Sequence, residues 1–148
     1  MIALGADHGG YNLKEAIIEY LKEKNVEYTD YGCYSEESVD YAVYAKQVAD
    51  AVVSGKAEKG ILCCGTGIGI SIAANKVKGI RAAVVTNEFC AEMTRRHNDA
   101  NILAMGGRVI DAQTAVKLAD IFLNTEFDGG RHQRRIDQIT KIENGEDL

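Results

Sequence analysis

Short apolar runs alternate with stretches of helical period along the whole chain. Met1–Ala6 reads as a buried strand. Leu13, Ala16, Ile17, Tyr20 and Leu21 follow at i, i+3, i+4, i+7 and i+8, the pattern of a helix laying one face on a sheet. Val26–Tyr31 reads as a second strand, ended by Gly32. Ala45, Val48, Ala49, Val52 and Val53 repeat the helical spacing until Ser54-Gly55 stops it. Gly60–Cys64 is the third strand, with a helix over Ile68–Lys76. Ile80–Val85 is the fourth, with a helix over Glu88–Arg96. Ile102–Met105 is the fifth, and Ala115, Leu118, Ala119, Phe122 and Leu123 stand behind it in helical register.

Five strands joined by helical crossovers predict an α/β fold, a three-layer sandwich around a five-stranded parallel sheet of Rossmann-like or flavodoxin-like type. Parallel neighbours need crossovers, and such strands are expected to be buried on both faces. No linker, repeat or low-complexity stretch divides residues 1–148, so a single domain is expected. The last helical stretch, Arg131–Ile142, carries Ile136, Ile139 and Ile142 along one side and has no following strand, which leaves it free to pack outward against another subunit. Ligands of such sheets bind beyond the carboxyl ends of the strands. Those ends carry Asp7-His8-Gly9-Gly10, Gly32-Cys33, Cys64-Gly65-Thr66-Gly67, Thr86-Asn87 and Gly106-Gly107-Arg108.

Composition narrows the partners. A net charge of −5 is a poor match to nucleic acid or an anionic membrane. No apolar run approaches the ~18 residues of a membrane span, and Met1–Asp7 has no basic stretch ahead of its apolar residues, so a cytoplasmic protein is expected. The four cysteines form no C-x-x-C pair and no zinc spacing, and no two histidines stand at i, i+4. Neither a metal nor a cofactor is expected. With 15 glycines and no proline, glycine alone punctuates the chain.

The richest cluster is Cys63-Cys64-Gly65-Thr66-Gly67-Ile68-Gly69-Ile70-Ser71, running from a buried strand through a glycine turn into a helix. Its amides and the helix N-terminus form an anion site. Ile70 stands where a phosphate loop, a dinucleotide loop or a cysteine phosphatase loop each needs another residue, so all three are excluded. What remains is a cysteine beside a nest of amides. Neighbouring strand residues face opposite ways, so Cys63 is read as a small core hydrophobe. Cys64, abutting the turn, reads equally well as a core thiol or as a thiolate stabilised by a helix N-terminus.

His8, His97 and His132 all lie in polar contexts. His97, at the end of the fourth helix, reads either as a cap on the negative helix terminus or as an acid/base facing the crevice. Arg131, Arg134 and Arg135 gather three of the seven arginines within five residues. On local grounds they make a solvated surface run; a bound phosphate or carboxylate is the other reading.

Four blocks together carry a resemblance: Gly5-Ala6-Asp7-His8-Gly9-Gly10, Cys64–Lys76, Arg96-His97-Asn98-Asp99-Ala100-Asn101 and Gly129-Gly130-Arg131-His132-Gln133-Arg134-Arg135. In that order, and over essentially the whole chain, they resemble the type B ribose-5-phosphate isomerases of the ribose/galactose-6-phosphate isomerase family. The resemblance implies a metal-independent aldose–ketose isomerase of the pentose phosphate pathway, acting through an enediolate. It also implies a homodimer, or a dimer of dimers, with sites shared between subunits. By position Cys64 matches the catalytic base and the Gly65, Gly67, Ile68 and Gly69 amides match the hole for the enediolate oxygen. Thr66 and His97 match the residues that open the furanose ring. Asp7, Tyr41 and Asn98 match sugar-hydroxyl contacts, and His8, Arg108, Arg131 and Arg135 match the phosphate clamp. A second branch of the family uses a glutamate at the position of Ile70, which is unavailable here. The family commonly has proline where this chain has Ala42. A 6-phosphohexose isomerase and a non-catalytic sugar-phosphate module are the competing expectations.

Overall fold

Strand and helix alternate as the apolar pattern requires. The computed structural model describes residues 1–148. Its elements are β1 (Ile2–Ala6), α1 (Tyr11–Glu23), β2 (Tyr28–Asp30), α2 (Tyr41–Val53), β3 (Lys59–Cys64), α3 (Ile68–Asn75), β4 (Ala82–Val84), α4 (Glu88–Arg96), β5 (Ile102–Gly106), α5 (Ala112–Asn124) and α6 (Arg131–Glu143). All strand pairs are parallel, in the order β2-β1-β3-β5-β4. The chain steps outward from β1 to β2 and returns to the other side as β3, so the β1/β3 carboxyl ends are a switch point where a crevice opens.

The period-2 alternation of the strands divides the core in two. Leu4, Ala6, Ile61, Cys63, Leu103 and Met105 face α1, α4 and α5, where they meet Ile17, Leu21, Leu118 and Phe122. Ala3, Leu62, Cys64, Ile102 and Ala104 face α2 and α3, against Val48, Ala49, Ile70 and Ala74. This is the expected three-layer sandwich.

Burial on both faces holds for β1 and β5 throughout and for β3 after Lys59, but not for β2 and β4. These are edge strands, half-buried and three residues long, shorter than the apolar runs that contain them. The ends of those runs serve turns instead: Val26 N–H donates to Leu21 O at 2.9 Å and Ile80 N–H to Val77 O at 3.2 Å. No helix is long and apolar enough to cross a membrane.

α6 stands outside both halves of the core. Only Ile136 of its thirteen residues is buried, while Ile139 and Ile142 are exposed. Its carboxyl end is tied by Glu143, whose two carboxylate oxygens accept from Gly79 N–H at 3.0 and 3.2 Å.

Candidate active site

Cys64 closes β3 with its side chain buried toward α2 and α3. The turn that follows reverses through Gly67, whose φ of +82° lies in the left-handed region that glycine tolerates. A β-carbon there would stand 2.8 Å from the Met105 carbonyl carbon, which also excludes any side chain. This reversal brings Gly67 N–H back onto Cys64 Sγ at 3.1 Å. Thr66 Oγ1 accepts from Ile68 N–H at 3.2 Å. The amides of Gly65, Thr66, Gly69 and Ile70 find no acceptor within the chain. A thiol sulfur therefore lies in a ring of spare donors at the positive end of α3, suited to an anion on the sulfur or beside it. Cys63 shows the contrast. It is fully buried on the opposite face, and burial, then the neighbouring Cys64, pushes its thiol up to about 12.

Two loops flank this turn. Asp7 follows β1, is buried, and holds its own loop through Oδ1, which accepts from Gly9 N–H at 2.9 Å and Gly10 N–H at 3.2 Å. His8 Nδ1 accepts from Val39 N–H at 3.2 Å, so Nε2 carries the ring proton and is the donor. After β5, Arg108 N–H donates to Gly65 O at 2.9 Å. The Arg108 guanidinium lies over Gly65, with Nη1 3.0 Å from where a β-carbon would stand. Tyr41 opens α2 and its ring covers Gly69, with Oη 3.1 Å from the corresponding point. Ala42 is the second residue of α2, where the N–H has no intrahelical acceptor and alanine serves as well as proline.

His97, Asn98, Arg131 and Arg135 lie elsewhere. Within one chain His97 stands away from the Cys64 turn. His97 caps the carboxyl end of α4, and the loop after it enters β5 at the amino edge of the sheet. There Gly60 N–H, near the start of β3, donates to Asn101 O at 2.9 Å. Cys64 is four residues further along β3, about 13 Å away at ~3.3 Å per residue.

The same edge receives the start of α6. Asp128 N–H donates to Arg96 O at 3.0 Å and Arg96 Nε meets Asp128 Oδ1 at 3.2 Å. The His97 and His132 rings stack with centroids 4.4 Å apart and planes 11° from parallel. Loss of hydration, then the fields of His97, Arg131 and Arg135, hold the His132 imidazole below its ordinary value, with Asp128 opposing. Spacing along the sequence showed no role for His132 or Asp128, because the fold alone brings them to His97.

His97, Asp128 and His132 offer ligand atoms within 4.8 Å of one another. Parallel rings send their in-plane lone pairs side by side rather than to one point, and Arg96 already engages Asp128. Beside Arg131 and Arg135, this edge suits an anion better than a cation. The main surface hollows lie elsewhere and none is bordered by Cys64, so in one chain the Cys64 site is an open shelf.

The sequence pattern of the ribose/galactose isomerase family matches residues 2–139. Ribose-5-phosphate isomerase B of Escherichia coli is 50% identical over 142 residues, 96% of this chain and 95% of that protein. A putative sugar phosphate isomerase of Bacillus subtilis is 54% identical over 143 residues, 96% of each. Among solved structures, ribose-5-phosphate isomerase B of Clostridium thermocellum superposes with a TM-score of 0.96 at 53% identity, over 97% of each chain. The enzyme of Mycoplasma genitalium, solved with bound ribulose-5-phosphate, gives 0.92 at 43% identity, over 97% of this chain and 95% of that one.

Proposed function

The chain belongs to the ribose/galactose isomerase family, and we propose that it interconverts ribose 5-phosphate and ribulose 5-phosphate with Cys64 as the base. The observation that carries this reading is the Gly67 N–H directed at Cys64 Sγ inside a turn where the amides of Gly65, Thr66, Gly69 and Ile70 are unpaired.

The furanose opens first. The C1 hydroxyl gives up its proton, the C1–O4 bond breaks and O4 takes a proton, with Thr66 and His97 of the partner subunit as the exchanging groups. The Cys64 thiolate then removes the proton from C2. The electron pair of that bond forms the C1–C2 double bond and the carbonyl pair moves onto O1, giving the enediolate. Its charge falls among the amides of Gly65–Ile70, each worth on the order of 3–4 kcal/mol in comparable oxyanion sites. The thiol returns its proton to C1, and the hydroxyl proton of O2 passes to O1 as the C2 carbonyl forms. Asp7, Tyr41 and Asn98 of the partner subunit hold sugar hydroxyls. His8 and Arg108, with the partner's Arg131 and the partner's Arg135, grip the phosphate. That remote grip fixes C1 and C2 beside the sulfur.

A homodimer supplies what one chain separates. Two-fold pairing sets the amino edge of one subunit against the Cys64 shelf of the other and generates two equivalent sites. The exposed Ile68 and Ile72 of α3, with Val43 of α2, edge the shelf with apolar surface that such pairing covers. A dimer of dimers adds no further site. The four free thiols accord with a cytoplasmic location.

Cys64→Ala tests the chemistry. Turnover of ribose 5-phosphate and wash-in of solvent deuterium at C1 of ribulose 5-phosphate are expected to fall together by at least ~10²-fold, while binding of the sugar phosphate survives. Undiminished exchange in this variant overturns the assignment, and binding without turnover in the unaltered protein marks a non-catalytic module.

A further inference from the structure

Arg81, just before β4, is bound up with the loop that carries His97 and Asn98. Its main-chain N–H donates to Asn101 Oδ1 at 2.8 Å, and Asn101 N–H donates back to Arg81 O at 3.0 Å. Its side chain then crosses to the same loop. Nε donates to Asn98 O at 3.0 Å and Asp99 O at 3.2 Å, and Nη2 donates to Asp99 O at 2.9 Å. Asp99 holds a φ of +45°, a region that residues other than glycine rarely adopt. Arg95 grips the turn from the other side, with Nη1 2.7 Å from Asp99 Oδ1 and 2.8 Å from Ala100 O. It is itself buried and also reaches Thr125 O at 3.0 Å, so it serves the core as well. Arg81 is partly exposed and spends its guanidinium on Asn98 and Asp99 alone.

The last carbonyls of α4 accept from backbone N–H groups of His97, Asp99, Ala100 and Asp128, whereas Asn98 O and Asp99 O lie in the turn beyond. A turn in an unfavourable conformation persists only where its surroundings hold it. That hold comes from one planar guanidinium spanning two consecutive carbonyls, a fork that a lysine ammonium does not reproduce. The Asn98 side chain and the His97 ring nitrogens make no hydrogen bond within the chain and stay available to a ligand.

We propose that Arg81 is a positioning residue. By pinning the left-handed Asp99 turn it sets the direction in which His97 and Asn98 are offered to the substrate held by the neighbouring subunit. This rests on the reading above, that His97 and Asn98 act on the sugar. Besides the His97–His132 stack, Arg131 and Arg135 have an anchor that Arg81 does not touch, the Arg96–Asp128 pair. Arg81 therefore governs the step at the sugar and not the hold on phosphate.

The test uses full-length Arg81→Gln and Arg81→Lys. A displacement of about 1 Å costs on the order of a hundredfold, so Arg81→Gln is expected to lower kcat about 10- to 100-fold. Arg81→Lys should recover part of the loss, and being the milder change it keeps the experiment open if the glutamine variant folds poorly. The inhibition constant of inorganic phosphate should stay within about twofold for both. In a His97→Gln/Asn98→Ala background, Arg81→Gln should change the residual rate by less than about twofold, because its effect runs through those two residues. A loss that persists at full size in that background overturns the proposal, as does wild-type turnover in Arg81→Gln or a phosphate constant that moves with kcat. Wild-type turnover by the His97→Gln/Asn98→Ala protein itself removes the premise instead, by showing that the loop does not act on the sugar.

Discussion

At the carboxyl edge of the sheet, polar side chains are held by backbone amides; at the amino edge, backbone carbonyls are held by polar side chains. Cys64 Sγ accepts from Gly67, Asp7 Oδ1 from Gly9 and Gly10, and His8 Nδ1 from Val39. Across the sheet, Arg81 and Arg95 donate to the carbonyls of Asn98, Asp99, Ala100 and Thr125. Helix polarity contributes to this difference, with the turn past α4 adding the Asn98, Asp99 and Ala100 carbonyls. In a parallel α/β sheet every crossover helix begins near the carboxyl edge, with spare N–H groups, and ends near the amino edge, with spare C=O groups. The first edge is prepared for anions on sulfur and carbon-bound oxygen, and the second must import cations. α6 then adds Arg131 and Arg135 to an edge already rich in arginine, which suits it to the share of the phosphate grip proposed for those two residues. On the proposed function each edge does half of the chemistry, and Cys64 and His97 stand apart within one subunit.

The largest effect that breaks or sustains this division is complementation between subunits. Cys64→Ala and His97→Gln homodimers should each retain on the order of 1% of activity or less, since each removes a group worth ~10²–10⁴-fold. After subunits are exchanged at random, half the molecules are heterodimers with one intact site of two, so about 25% of wild-type activity should appear. No recovery, with exchange verified by native mass spectrometry, means that each site lies within one chain.

Next in size is Arg131→Ala. Loss of a charge-assisted phosphate contact is worth about 1.5–3 kcal/mol, so KM and the phosphate inhibition constant should rise roughly 10- to 150-fold with kcat altered far less. If titration calorimetry shows phosphate binding unchanged, the grip on phosphate belongs to the carboxyl edge alone and the contrast between the edges fails.

The carboxyl edge was legible in the sequence because local signals define it. A buried strand, a glycine turn and a helix start within ten residues fix where Cys64 stands, and strand alternation separates it from Cys63. The position of His97 was legible too, because a residue that ends a helix and enters a strand sits at the amino edge. Arg81 and Arg95 gave no signal. Arg81 reaches carbonyls 17 and 18 residues away and Arg95 one 30 away, and although Arg95 to Asp99 is an i, i+4 pair, nothing about a lone arginine tells which carbonyls it will satisfy. The stripe Ile136, Ile139, Ile142 was visible as a stripe, but only Ile136 finds cover within the chain. What the others pack against is not encoded locally.

The smallest expected effect concerns the two adjacent thiols. Cys63 is sealed in the core with its thiol raised from 9.0 to about 12, whereas Cys64 opens onto the turn at exposed Thr66. In the native protein iodoacetamide should alkylate exposed Cys90 first and Cys64 next, with phosphate slowing only Cys64, while Cys63 stays intact. Fragment-ion mass spectrometry distinguishes the neighbours, and equal labelling of the two refutes the separation. The same burial leaves a mark on stability. A thiol whose folded value is raised stabilises the protein fully below its unfolded value near 9, and that contribution is lost as pH rises toward 12. Tyr20, raised to about 12 by burial and then by its hydrogen bond to Asp120, acts in the same direction. The melting temperature should therefore hold steady up to about pH 9 and decline above it, and Cys63→Ala should flatten part of that decline. An alkaline slope identical in Cys63→Ala shows that the sealed thiol contributes nothing to it.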